Sequence, residues 1–124
     1  NNILHVFESS IDLLSFATLL KLSSRNWKEE NMLSLGGIYT SNYDINKSKI
    51  PVALVEFLEK NPNINEIHLH LDRDLAGRNA TTFLQQVLNE KYKVLDSTVP
   101  FGKDMNEYLC LKKQTQKIEK ERTR

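Results

Sequence analysis

Apolar positions along the chain fall into short blocks that alternate between two spacings. Ile3 to Phe7 is a β-rich run and predicts a strand that stops at Glu8-Ser9-Ser10. Ser9 or Ser10 can cap a following helix, from Ile11 to about Leu22, and Asp12 in its first turn suits the helix dipole. That helix is apolar on most sides (Leu13, Leu14, Phe16, Ala17, Leu19, Leu20), as expected of one packed between layers. The polar residues 23–31, with Trp27 among them, predict a loop. Met32 to Leu35 is a second short strand ending in Gly36-Gly37, where the missing Cβ permits positive φ. Residues 38–49 read as irregular. Pro51 suits the first position of a helix that runs to Lys60 and is stopped by Asn61-Pro62-Asn63.

Glu66 to Leu71 alternates, with Ile67, Leu69 and Leu71 on one face and His68 and His70 on the other. Asp72-Arg73-Asp74 comes next. A helix from about Leu75 to Glu90 carries Ala76, Ala80, Phe83 and Val87 on one stripe. Tyr92 to Val99 predicts a fourth strand, closed by Pro100. A turn at 101–104 leads to a last helix that starts near Met105 and fades into a polar tail. Strands alternating with helices predict an α/β fold. It is an open sheet of about four mainly parallel strands with helices on both faces, three layers in all. Ligands of such sheets sit outside the carboxyl ends of the strands, so the residues just beyond each strand decide the chemistry.

Composition narrows the class. The chain has 124 residues, 40% of them hydrophobic and 27% charged, which is enough for one domain with a core of its own. No apolar run approaches the roughly 18 residues of a membrane span. The single cysteine, Cys110, excludes an internal disulfide and a cysteine-based zinc cluster; among the apolar residues of the last helix it reads as a buried, inert thiol. A reducing, cytoplasmic setting is the expectation. Residues 112–124 hold six basic side chains against two acidic ones, while residues 1–111 hold eleven against fourteen. We therefore read 1–111 as the domain and 112–124 as a basic polar tail or helix extension. Because Asn1-Asn2 leads at once into a strand, we expect a piece of a longer multidomain protein. A mildly acidic body does not bind nucleic acid by charge alone, so a phosphate backbone would be met through a cation or through neighbouring domains.

Three strands end in acid: Glu8 after the first, Asp72 and Asp74 after the third, and Asp104 a short turn after the fourth. Parallel strands put these ends on one edge of the sheet. Residues 72 and 74 in extended backbone point the same way. Converging carboxylates repel, so either their pKa values rise or a cation binds between them. Oxygen ligands that leave room for water suit Mg²⁺, whose open positions then face phosphate oxygens.

The glutamate in Glu8-Ser-Ser-Ile-Asp12 and the block His70-Leu-Asp72-Arg-Asp74-Leu-Ala-Gly77-Arg78-Asn-Ala80 together resemble the Toprim domain of bacterial primases, type IA and type II topoisomerases and some nucleases. The D-x-D-x-A-G-R form is nearest the primase-like members. Gly102-Lys103-Asp104-Met-Asn106-Glu-Tyr-Leu109 resembles the closing segment of Toprim domains in large mobile-element DNA-processing proteins of Gram-positive bacteria. Met105 replaces the tryptophan usual there, at a position expected to pack rather than react. The resemblance covers nearly the whole chain. It implies Glu8 as general acid or base, or as part of the metal site. It implies Asp72 and Asp74 as ligands of Mg²⁺ (or Mn²⁺), with Asp104 adding a ligand through water. Gly77 and Arg78 at a helix start would face phosphate, and Arg73 and Lys103 border the same edge. The implied function is Mg²⁺-dependent phosphoryl or nucleotidyl transfer on nucleic acid, DNA first, in a primase-like setting with other domains of the same chain. The alternative is a non-catalytic metal- and nucleic-acid-binding or interdomain module of a relaxase- or primase-like protein, which the acidic body favours.

Simpler roles compete at several positions. Asp74 can cap the third helix, Asp104-x-x-Glu107 reads equally as a capping-box variant, and Asp12 as a first-turn charge. His68 and His70 are spaced like some metal pairs but lack a third ligand of their type nearby in sequence, so packed or half-exposed histidines are the expectation. They also strain the assignment, since a central parallel strand should be apolar on both faces. Haloacid-dehalogenase-like enzymes carry D-x-D after the first strand, followed by Thr or Val, and phospho-receivers place paired acids there too; here the motif lies after the third strand.

Overall fold

A computed structural model describes residues 1–36 and 50–122. The irregular stretch expected at 38–49, with Gly37, Tyr39 and Tyr43, lies outside the described residues.

Four parallel strands form one sheet: β1 (Ile3–Phe7), β2 (Asn31–Ser34), β3 (Glu66–His70) and β4 (Lys93–Asp96), in the order β2-β1-β3-β4. The helices are α1 (Ser10–Leu22), α2 (Val52–Lys60), α3 (Leu75–Leu88) and α4 (Met105–Arg122), with a short 3-10 turn at Trp27–Glu29 where the sequence predicted loop. Ser9 caps α1 by accepting from the Asp12 N–H. The fourth strand is shorter than the alternating stretch Tyr92–Val99. The polar tail does not fade at residue 112 but continues as helix to Arg122. Gly36 takes the positive φ its position after β2 requires.

The register of β1 on β3 pairs His5 with His68 and Phe7 with His70, so the two strands present matching residues to each face. One face shows Leu4, Val6, Ile67 and Leu69, all buried, against Leu54 and Leu58 of α2 and Phe83, Leu84 and Leu88 of α3. The other shows Phe7, joined by Val99 and Met105 and by half-buried Leu13, Phe16 and Leu19 of α1. Met105 is a packing residue, as its position in the closing segment suggested. On this second face stand three imidazoles, His5, His68 and His70, His70 lying flat against Phe7. Burial, then the other two imidazoles, push His70 down to about 3; burial foremost lowers His5. Both rings are neutral at pH 7.

Three expectations need correction. On α3 the buried residues are Gly77, Thr81, Phe83, Leu84 and Leu88, while Val87 is 43% exposed. The helix is rotated from the expected stripe because Gly77 packs against the Asp72 backbone. On α1, Ile11 and Leu14 are 62% and 63% exposed: the helix forms an outer layer with one side in solvent, and its inner side includes Asp12 and Ser15. Cys110 is exposed, because α4 turns Met105 and Leu109 inward.

The corrected rotation of α3 has a measurable consequence. Leu84, 2% exposed, and Val87 are both apolar and three residues apart. Leu84→Ala is expected to cost about 2–5 kcal/mol in denaturant unfolding, and Val87→Ala within about 0.5 kcal/mol of nothing.

Candidate metal centre at the sheet edge

The strand order makes β1 and β3 neighbours while their connections leave in opposite directions, α1 toward β2 and α3 toward β4. This is the switch point of a doubly wound sheet, where a crevice opens beyond the carboxyl ends. Glu8 extends β1 there and Asp72 extends β3.

The structure brings Glu8 and Asp72 together. Burial first, then a hydrogen bond with Asp72 and the charges of Asp72, Asp74 and Asp12, push Glu8 up to about 8. At neutral pH Glu8 therefore keeps a proton that a free glutamate has lost. Asp72 is buried, and its Oδ1 has no hydrogen-bond partner. An unpaired buried carboxylate oxygen is costly, and a cation relieves it.

Asp12, Asp72 and Asp104 each offer an oxygen, all within 4.8 Å of one another. Asp12 is the residue that sequence reasoning undervalued as a first-turn charge. It is buried, accepts from the Ser9 hydroxyl at 3.0 Å and from the Asn106 N–H at 3.2 Å, and so ties α1 to the start of α4. Burial raises its pKa against those two hydrogen bonds, with Asp104 and Asp72 adding to the rise. The available signal was its position one helical turn beyond Glu8. Asp104 accepts from the Glu107 N–H at 2.9 Å, so it caps α4 while its carboxylate also belongs to the cluster. Asp74 lies near enough to act on Glu8, yet it is exposed and caps α3 through the Gly77 N–H at 2.8 Å. The donor set is all oxygen and multiply acidic, which suits a hard divalent ion.

Gly77 has a steric role. A Cβ on it would sit 2.1 Å from the Asp72 carbonyl oxygen, so only glycine lets α3 start against the Asp72 backbone. Arg78 is ion-paired with Asp96 and donates to the Thr98 hydroxyl, which draws its guanidinium toward the end of β4. Arg73 and Lys103 are exposed and joined by the Arg73 N–H to the Lys103 carbonyl at 2.8 Å.

A sequence model of the Toprim-like family matches residues 5–109, most of the chain, and the protein belongs to that family. Toprim domains generally bind divalent metal and take part in nucleic-acid processing. No curated protein sequence matches the chain. None of the described helices is long and apolar enough to cross a membrane.

The raised Glu8 sets a sign for pH dependence. Folded, Glu8 holds its proton to about 8; unfolded, it loses it near 4.5. Between those values the native state binds the extra proton, so stability falls as pH rises through the window and levels off above it. The lowered His70 and His5 oppose this trend below about pH 6.5, where only the unfolded chain protonates them, so the melting temperature of the chelator-treated chain is expected to fall between about pH 6.5 and about pH 8, and Glu8→Gln to remove that fall.

Proposed function

We propose that the protein is a catalytic domain for Mg²⁺-dependent phosphoryl or nucleotidyl transfer on nucleic acid, acting in primase-like DNA processing in the cytoplasm, within a larger mobile-element protein. The observation that carries the reading is the unpaired, buried Asp72 Oδ1 among the carboxylates of Asp12 and Asp104, with Glu8 beside it, at the switch point of the sheet.

Asp72, with Asp104 and Asp12 or Asp74, would hold the ion; Mn²⁺ suits the same oxygens. A bound Mg²⁺ supplies charge neutralisation to phosphate oxygens as negative charge develops on them. Glu8, protonated near neutral pH, can donate its proton to a leaving oxygen and, once ionised, take one from an attacking hydroxyl. The cation would favour the ionised form of Glu8, so Glu8 changes role with occupancy. Arg73 and Lys103, exposed side by side at the crevice mouth, can steer a phosphate backbone that the acidic body would otherwise repel. Arg78, held by Asp96, would reach phosphate only by leaving that partner. Gly77 would support the phosphate-facing helix start by letting α3 begin there.

The test uses Glu8→Gln and Asp72→Asn in a protein carrying this domain. Primer synthesis, strand cleavage and hydrolysis on single-stranded DNA are assayed over a Mg²⁺ titration. Glu8→Gln is expected to lower the Mg²⁺-dependent rate by about 10²–10⁴-fold without abolishing binding of DNA. Asp72→Asn is expected to remove the Mg²⁺ dependence. Full activity in Glu8→Gln would instead establish the non-catalytic binding module.

A further inference from the structure

The central strands carry imidazoles where a buried parallel sheet ordinarily carries branched aliphatics, and nothing at the acidic crevice uses them. His68 and His70 lack a third ligand in sequence, but the register supplies it, since His5 of β1 lies directly beside His68. Each of the three rings offers a nitrogen, and those nitrogens lie within 4.8 Å of one another.

The hydrogen bonding around the rings is incomplete in an informative way. His5 turns Nδ1 toward His70 Nε2 at 2.9 Å and Nε2 toward Glu30 at 3.4 Å. His68 Nε2 meets Glu66 at 2.6 Å. A neutral imidazole has one donor and one acceptor nitrogen. The carboxylates of Glu30 and Glu66 take the Nε2 protons of His5 and His68, so the Nδ1 atoms of both rings are bare lone pairs. His70 Nε2 must then donate to His5, which leaves His70 Nδ1 a bare lone pair as well. His70 is 8% exposed, and its Nδ1 has no hydrogen-bond partner. The Ser97 backbone acts as an acceptor toward the ring and favours a proton on it, yet Nδ1 has no partner within hydrogen-bond geometry. Buried on a sheet face, the cluster thus keeps acceptor nitrogens that no donor satisfies.

We propose that His5, His68 and His70 form a second metal site, for a transition-metal dication of the zinc class, separate from the hard-ion site at the sheet edge. Imidazole nitrogen selects zinc, nickel or cobalt over magnesium. Zinc–nitrogen bonds of about 2.0–2.1 Å in tetrahedral geometry separate ligand nitrogens by about 3.3 Å. The 2.9 Å His5–His70 pair is already near that spacing, and a movement of the partly exposed His68 ring closes the third side. On binding, the proton between His5 and His70 shifts to His70 Nδ1, and both facing nitrogens become ligands. Glu30 and Glu66 then act as the carboxylates that orient ligating histidines and raise their basicity. Three protein ligands leave one position open for water or a carboxylate.

The probe is Zn²⁺ alone on the whole 124-residue chain after chelator treatment, with Co²⁺ as a spectroscopic reporter. A single zinc per chain is expected, with visible Co²⁺ bands of four-coordinate nitrogen ligation, and both should persist in Asp72→Asn. His68→Gln, at the least buried of the three rings, is expected to bind zinc at least about tenfold more weakly while keeping its circular dichroism. If His68→Gln fails to fold, imidazole proton shifts of the unaltered chain on zinc addition serve instead; shifts on the three rings support the site. Absence of zinc binding overturns it. So does zinc that is lost in Asp72→Asn but kept by His68→Gln, or shifts confined to residues of the acidic edge.

Discussion

The parallel pairing of β1 with β3 is the contact on which the rest of the molecule depends. Its register, Phe7 opposite His70, decides which residues become neighbours where the strands end and on both faces of the sheet. One residue beyond Phe7 is Glu8, and two beyond His70 is Asp72; their carboxyls meet because the strands run together. A slip of one residue would turn Leu4, Val6, Ile67 and Leu69 out of register with the helices that cover them and would part the carboxyls. The aliphatic face therefore guards the geometry of the acidic edge.

A second constraint acts at right angles to the sheet. Asp72 can sit deep in the crevice only if α3 begins immediately above its backbone, and Gly77 removes the one atom that prevents this. Asp74 caps that helix through the same Gly77 N–H. The D-x-D-x-x-G spacing is thus a packing solution in its own right. The first aspartate is buried, the second starts the helix, and the glycine lets the helix lie where the first needs it. On the opposite side Asp12 does comparable work by accepting from Ser9 and from the Asn106 N–H, which draws α1 and α4 to the same edge. The acidic hollow is thereby closed by elements far apart in the chain.

Much of this was legible in the sequence for physical reasons. Strand alternation at 66–71, the proline before α2 and the serine before α1 are local signals, and local signals survive in the fold. The parallel sheet followed from the alternation of strands and helices, and the acids at three strand ends followed from parallelism. What sequence could not reach was rotation and partner choice. The α3 stripe looked like Ala76, Ala80, Phe83 and Val87 because hydrophobicity alone defined it. The contact of Gly77 with Asp72, which fixes the rotation, pairs a glycine with a backbone and has no hydropathy. Asp12 looked like an ordinary first-turn acid because its burial depends on α4, which begins ninety-odd residues later. Cys110 looked buried because its neighbours are apolar, but a helix covered on one side exposes a residue one position away from Leu109. Arg78 read as a phosphate ligand, and its pairing with Asp96 of β4 is visible only in three dimensions.

The histidines carry the same lesson further. His68 and His70 look like an error in a central strand while β3 is read alone, and they gain a context only when β1 places His5 beside them. Conflicts between a local rule and a good fold concentrate at functional positions, because a sequence optimised only for packing would put valine or isoleucine there. Here β3 takes part in two departures in succession, first the three imidazoles of the sheet face and then the acidic edge. The donor chemistries differ: nitrogen with orienting carboxylates on the face, oxygen alone at the edge. Ligand type sorts metal ions more sharply than affinity does. With His70 on the face and Asp72 at the edge only two residues apart in the chain, that difference in donor type is what would keep a zinc-class ion and a magnesium ion from exchanging places.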